Sequence, residues 1–228
     1  MKSCLKKKQH LSIIKILCKT LIICYFINMF FNKKFILASN SKSRFFILKN
    51  NKLNFRRVSH ACDEDLIKKK KIKEKTPPKK ISLCLATNKA ASISKKYHDS
   101  LVIGCDTIID LNNKVIEKAR NIEEAKKKLK KLSGKKHDIY SSVAAYYKNK
   151  PVWKTTQKTT VKVRKLNKKE INEYLKKTDK NILLSVGCFQ IEKDGPNIIE
   201  NIKGDFFNVM GFPLFPFLLF LKEFNVEE

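Results

Sequence analysis

Apolar positions along this chain follow two rhythms, and each predicts its own kind of element. Unbroken apolar runs predict buried strands at 34–38 and 101–105. Segments 55–59, 139–147, 152–164, 186–191 and 198–202 also read as strands, rich in β-branched and aromatic residues. Residues 108–111 and 115–116 flank Asn112-Asn113, a hairpin signal. A second turn is expected at Asn149-Lys150-Pro151. Helical spacing marks the remainder. Ser39 or Ser41 can cap a helix carrying Phe45, Phe46, Ile47 and Leu48. Segment 81–97 is helical in tone, with Leu85 and Lys89 four apart on one face. Asn121 with Glu124, and Asn167 with Glu170, have capping-box spacing, and Ser133-Gly134 supplies a glycine stop after the first of these helices. Residues 212–224 form an apolar closing helix. Segment 63–80 is charged and ends on Pro77-Pro78, so it reads as a loop or frayed helix over a cleft mouth. Helices interleave with both sequential strands and hairpins. The expected class is therefore α/β with a mixed sheet flanked by helices.

Length adds that 228 residues at 43% hydrophobic content suffice for one core, or one domain with a small lobe. Charge changes the picture less than its size suggests. Lys plus Arg is 50 against 21 acids, a net charge of +29. Arginine, the residue of bidentate phosphate and base-edge contacts, occurs only as Arg44, Arg56, Arg57, Arg120 and Arg164. The lysines are spread over every segment, which reads as a solvated surface, and nucleic acid is not the expected partner. The seven cysteines form no CxxC pair and the four histidines have no zinc spacing. Cys84, Cys105 and Cys188 sit in apolar runs and read as small core residues.

Residues 1–32 stand apart from the domain expected over 33–228. A basic start precedes an apolar run that Lys15 and Lys19 interrupt. The simplest account is a start at Met29. A weak membrane anchor is the alternative, and without it no membrane partner and a cytoplasmic location are expected.

Four polar stretches stand out, at 39–44, 104–107, 132–137 and 204–213, and the first two carry most of the candidate chemistry. Ser39 to Arg44 follows a strand and opens a helix, where free N–H groups and the helix dipole favour an anion. Ser39, Ser41 and Arg44 add side-chain donors. Gly104-Cys105-Asp106-Thr107 places a carboxylate at the expected end of a buried strand, which demands a partner or a metal. Glu64, in Asp63-Glu64-Asp65, offers a second acid, and Lys89 and Lys118 are candidate phosphate neutralisers. The stretch 204–213 forms a polar turn in which Asp205 can cap and Asn208 can bond a loop. Attack by water on a phosphoryl group, assisted by a divalent cation, joins these parts.

In order and spacing these stretches resemble the Maf-like nucleoside triphosphate pyrophosphatases, over about residues 33 to 225. Ser39 to Arg44 resembles the family's Leu-Ala-Ser-x-Ser-Pro-Arg-Arg start. Asp63-Glu64 resembles its Asp-Glu pair, Lys89-Ala90 its Lys-Ala, and Gly104 to Thr107 its Gly-Ala-Asp-Thr. Glu117-Lys118 stands at its Gly-Lys-Pro. Leu132-Ser133-Gly134 with His137 also matches, and Gly204 to Pro213 resembles Gly-Asp-Tyr-x-Asn-Val-x-Gly-Leu-Pro. The resemblance implies a twisted mixed sheet of ITPase-like architecture with a central cleft between two lobes. It implies cleavage between the α and β phosphates with Mg²⁺ or Mn²⁺, and a homodimer. Carried over by residue, it implies Asp106 as base or metal ligand, Glu64 as metal support and Lys89 as a catalytic cation. Arg44 and Lys118 would bind phosphates and Ser39 and Ser41 would anchor the first loop. Thr107 and Glu192 would lie near the base.

The departures are specific. Ser43 replaces one arginine, Ala119 replaces the proline after the lysine, and 184–193 replaces Asp-Lys-Ala-Gly-x-Tyr-x-Ile-Gln-Gly. Glu192 stands where the pyrimidine-preferring branch has glutamine and is similar to the 7-methyl-GTP branch. The competing expectation is a non-catalytic nucleotide-binding regulator of cell division on the same fold.

Overall fold

The computed structural model describes residues 34–179, 182–183 and 185–224. The expectations for residues 1–32 lie outside them. Seven strands form one mixed sheet: β1 (Phe35–Ala38), β2 (Phe55–Val58), β3 (Leu101–Leu111), β4 (Lys114–Ile116), β5 (Lys136–Tyr147), β6 (Lys150–Val163) and β7 (Ile199–Lys203). The α-helices are α1 (Lys42–Asn50), α2 (Glu64–Lys73), α3 (Pro78–Ser94), α4 (Ile122–Leu132), α5 (Lys168–Lys177), α6 (Phe206–Met210) and α7 (Leu214–Glu223). The strand order is β2-β1-β3-β5-β6-β7, with β4 also on β3. β1 runs parallel to β2 and β3, and the β3, β5, β6, β7 ladder is antiparallel.

The long strand β3 organises the molecule. Leu101, Ile103 and Cys105 on one face pack in a cluster with Ile47 and Leu48 of α1 and Phe217 and Leu221 of α7. Further along that face, Ile109 and Leu111 join a second cluster with Leu129 of α4 and Ile171 and Leu175 of α5. The opposite face carries α3, through Ala90 and Ile93 against Val102 and through Ile81 and Leu85 against Ile108. Two helical groups thus flank a gap over the middle of β3. The edge of β3 opens there too. Its pairing with β1 ends at Gly104 opposite Ala38, and its pairing with β4 begins only at Ile109. A cleft forms at this break, beside the carboxyl end of β1, the place where open α/β sheets bind ligands.

Several expectations need correction. The strand at 101–105 continues to Leu111, because β5 pairs with it from Val102 through Asp110. Asp106 therefore lies mid-strand and not at a strand end. Of the two readings of segment 63–80, loop or frayed helix, the structure shows the helix over Glu64–Lys73. Asp63 caps α2 by accepting from the Leu66 N–H, and Pro77-Pro78 opens α3, with proline where the missing N–H costs nothing. Segment 186–191 is a series of turns rather than a strand, with Cys188 in the left-handed region at φ 56°. The β5–β6 turn lies at Lys148-Asn149, both with positive φ, so Lys150 and Pro151 already pair in β6. The Asn167–Glu170 capping box is complete. At Asn121 only half forms, because the Glu124 carboxylate accepts from the Arg120 N–H instead. The Asn112-Asn113 hairpin is present, with both residues at positive φ.

Candidate active site

The cleft at the β3 break has a volume of about 530 Å³. It receives the N-terminus of α1, because Ser41 caps that helix and its Oγ accepts from the Arg44 N–H at 3.4 Å. Ser41, Lys42 and Ser43 line the wall, so the unpaired N–H groups of the first turn face the cavity end.

Two buried polar networks shape the floor. In the first, the Arg44 guanidinium donates from Nε to the Gly211 carbonyl (2.9 Å), and from its terminal nitrogens to Ser39 Oγ (3.2 Å) and Thr107 Oγ1 (3.0 Å). Thr107 Oγ1 also shares a bond with Ser141 Oγ at 2.9 Å. Arg44 is only 9% exposed, and three of its five donors are already committed. It is first a brace tying α1, β3 and the turn after α6, with two N–H donors to spare. Thr107 is part of this brace. Gly211 fits at φ 102°, where an added Cβ would lie 3.1 Å from Thr107 Oγ1.

In the second network, Lys89 Nζ lies 2.6 Å from Asp106 Oδ1 and 2.8 Å from Glu64 Oε2. Lys89 is 3% exposed and Asp106 4%. The remaining oxygen, Asp106 Oδ2, is buried with no hydrogen-bond partner. Gly104 makes the pairing possible. A Cβ there would fall 2.1 Å from the Ala86 carbonyl oxygen, so α3 rests directly on the β3 backbone and brings Lys89 down to Asp106. Glu64 reaches the same lysine from the first turn of α2 and also faces Lys68 Nζ at 3.6 Å and His60 Nε2 at 3.8 Å.

Electrostatics follow from these distances. Burial raises the Glu64 carboxyl, but Lys89, Lys68 and Lys118 outweigh it and hold the group at about 2. Burial opposes the charge of Lys89, yet Asp106 and Glu64 keep its pKa above the usual lysine value. Lys118 is pushed down, by burial first and then by Arg44, Lys89 and Lys68. The named cations Arg44, Lys68, Lys89 and Lys118 outnumber the carboxylates Glu64 and Asp106, leaving a cleft that an incoming polyanion relieves.

The donor set suits a hard divalent cation. Asp106 and Glu64 are two carboxylates on one side of the cleft, and Oδ2 lacks any partner. Among the described residues no group of three or more His, Cys, Asp or Glu is arranged to hold an ion. Mg²⁺ in general is held by one or two carboxylates, with water and phosphate oxygens filling its shell.

The far wall is apolar. Ile109, Ile139, Val186, Phe189, Ile191 and Met210 line it, and Glu192 stands at its rim, accepting from Ser43 Oγ at 3.2 Å. All nine expected site residues, Ser39, Ser41, Arg44, Glu64, Lys89, Asp106, Thr107, Lys118 and Glu192, line this single cleft. Asp205 and Asn208 do not. Asp205 caps α6 through the Asn208 N–H, and the Asn208 amide bonds the Ile139 carbonyl and Thr159. His60 and Lys68 are cleft residues that the sequence reading passed over. Their signal was spacing, since each lies four residues from Glu64.

The chain is 41% identical over 192 residues to the 7-methyl-GTP pyrophosphatase of Bartonella henselae, covering 84% of this chain and 96% of that one. It is 37% identical over 190 residues to the nucleoside triphosphate pyrophosphatase of Pelagibacter ubique, covering 83% and 97%. It is 35% identical over 186 residues to the protein of that name from Caulobacter vibrioides, covering 82% and 93%. The family model described as Maf-like protein matches residues 34–224, and the chain belongs to the Maf family.

Proposed function

We propose that this chain hydrolyses nucleoside triphosphates between the α and β phosphates, releasing a nucleoside monophosphate and pyrophosphate. The observation that carries the reading is Asp106, buried mid-strand, clamped by Lys89 through Oδ1 and left with an unpartnered Oδ2 at the cleft floor. A carboxylate oxygen kept free in this way serves a proton acceptor. Water attacks the α phosphorus, its proton passes to Asp106 Oδ2, and the bridging oxygen departs with pyrophosphate. Lys118, Lys68 and the first-turn N–H groups of α1 neutralise charge growing on the phosphate oxygens. With Asp106 Oδ2 kept as the base, Glu64 would support a divalent cation, which when bound polarises the phosphate. The names of the relatives support the same reaction class.

The finer reading concerns the base. The rim of the apolar wall carries the Glu192 carboxylate, faced by the neutral Ser43 rather than by a cation. A carboxylate so placed favours a base edge rich in N–H donors or carrying positive charge, as 7-methylguanine does. Two of the relatives at 41% and 38% identity are named 7-methyl-GTP pyrophosphatases. The test is kcat/KM for 7-methyl-GTP, GTP, UTP and dTTP in the wild type and in Glu192→Gln. The expected result is a wild-type preference for 7-methyl-GTP that drops about tenfold in the variant, the size of one charge-assisted hydrogen bond. Unchanged ratios across the four nucleotides would contradict the assignment of Glu192.

A further inference from the structure

A second cavity, with a volume of about 800 Å³, is bounded by the end of α2, the start of α3 and strand β4. That size is ordinary for a small-molecule site. Its lining divides by chemistry. Ile72 of α2, Pro77, Pro78 and Ile81 around the start of α3, and Val115 of β4 are apolar, and Pro78 and Ile81 are buried. The cations are Lys69, Lys73, Lys75 and Lys114, all exposed, against one carboxylate, Glu117. Among the described residues none of these four lysines makes an ion pair. The neighbouring acid, Glu74, is held by Lys71 at 2.7 Å.

The backbone adds to the positive field. Helix α3 starts at this cavity with no side-chain cap and no acid in its first turn, so no acid of its own offsets its free N–H groups and dipole. Lys75 ends α2 in the left-handed region at φ 54°. Its N–H donates to the Ile72 carbonyl and the Thr76 N–H to the Lys71 carbonyl, both at 3.0 Å. Glycine is the favoured residue at such a helix end. A lysine there carries backbone strain and keeps a fourth cation at the cavity.

The cavity and the catalytic cleft share two walls. Along α2, Lys68 lines the cleft and Lys69 the cavity, and after β4, Lys118 lines the cleft and Glu117 the cavity. Helix α2 has no buried residue, and of its side chains only Ile67 packs against an apolar cluster. We propose that the second cavity binds a small organic anion, its doubly charged head (a phosphate ester) on the lysines and its apolar body among Ile72, Ile81 and Val115, and that the occupant fixes α2. Lysines are compact charges on flexible stems, so they select charge density rather than a planar shape. An anion bridging Lys73 of α2 to Lys114 of β4 ties down the helix that carries Glu64 and Lys68 into the cleft. The inference does not depend on which bond the cleft hydrolyses.

The probe is 2-naphthyl phosphate, titrated by calorimetry into the whole chain at fixed ionic strength, with inorganic phosphate as the comparison. The naphthyl ester is expected to bind about tenfold or more tightly than phosphate, because its ring is buried on the apolar lining. Lys73→Glu and Lys114→Glu, on separate elements, are each expected to weaken it about fivefold. Lys118→Ala, in the cleft, is expected to leave it within about twofold of wild type. Lys75→Gly removes a cation and relieves the left-handed strain. It is expected to weaken binding about threefold without lowering the urea midpoint, which separates lost charge from lost fold. At saturation, deuterium exchange of the α2 amides is expected to slow about fivefold. Equal binding of the two probes overturns the proposal. So does binding that is lost in Lys118→Ala but kept in the Lys73 and Lys114 variants, or unchanged binding in Lys75→Gly. Unchanged exchange in α2 overturns the claim that the occupant fixes that helix. None of these measurements requires turnover, so failure of the proposed reaction and failure of this site are distinguishable.

Discussion

Lys89 holds two carboxylates at once, and that double contact makes it the residue on which the charge balance of the cleft turns. Replacing it with methionine leaves Asp106 and Glu64 facing each other without a cation. Breaking a buried pair in this way is expected to cost about 3–5 kcal/mol, read by urea unfolding, and to lower kcat about 10²–10⁴-fold. Asp106→Asn is expected to lose a similar factor in kcat with a smaller loss of stability. A lysine like this is almost invisible in a chain with 50 Lys and Arg. The periodicity placed it on the face of Leu85, but only its match to the family's Lys-Ala marked it as special. His137 makes the opposite point. Both ring nitrogens are buried without partners beside Phe189, and burial pushes its pKa down to about 4. Because the unfolded value is near 6.5, its contribution to stability is complete above that pH and is lost as pH falls toward 4. Wild-type unfolding free energy is expected to drop by about 2–3 kcal/mol over that window, and His137→Phe is expected to flatten this limb. Glu64, held at about 2, adds its own loss only below its unfolded value of 4.5.

Elements are where sequence patterning succeeded and failed for identifiable reasons. Capped helices were legible because caps are local. Asn121, Asn167 and Ser41 each bond the N–H three residues on. The end of β3 at the Asn112-Asn113 turn was legible, but the union of 101–105 and 108–111 into one strand was not. Its residues are buried on both faces by α3, the α1–α7 group and the α4–α5 group, so neither alternation nor polarity shows that the strand runs on through Asp106 and Thr107. Helix α2 was left between loop and frayed helix because none of its residues is buried. It is made by the Asp63 cap, acids in its first turn and lysines in its last. The turns at 186–191 were read as a strand because their apolar residues line a cleft wall and a core, a distinction that periodicity does not carry. The contact between α3 and β3 gives the sharpest element-scale expectation. Gly104→Ala puts a methyl where the Ala86 carbonyl and Ala90 nitrogen lie within 2.5 Å, so α3 must shift. A loss of about 1–3 kcal/mol on urea unfolding is expected, with kcat falling at least tenfold as Lys89 leaves Asp106. A variant with unchanged kcat would show that the close approach does not set the site.

At the scale of the whole molecule, two helical groups sit over one face of a sheet and leave a gap where β3 has lost one neighbour and not yet gained the next. The gap is lined by the cations Arg44, Lys68, Lys89 and Lys118, by the carboxylates Glu64, Asp106 and Glu192, and by apolar residues including Ile109, Phe189 and Met210. The fold class and a set of residues that share one cleft were legible because seven motifs stand in one order. The geometry among them was not, since the cleft joins residues from β1 through Glu192 to the turn at Gly211, distances that no local pattern encodes. The measurement that tests the account most directly is product analysis. The protein is incubated with 7-methyl-GTP and the common nucleoside triphosphates with Mg²⁺ or Mn²⁺, and each phosphate product is quantified. The expected result is monophosphate and pyrophosphate in equal amounts, lost in Asp106→Asn. Diphosphate with orthophosphate, or equal turnover by Asp106→Asn, would contradict the account.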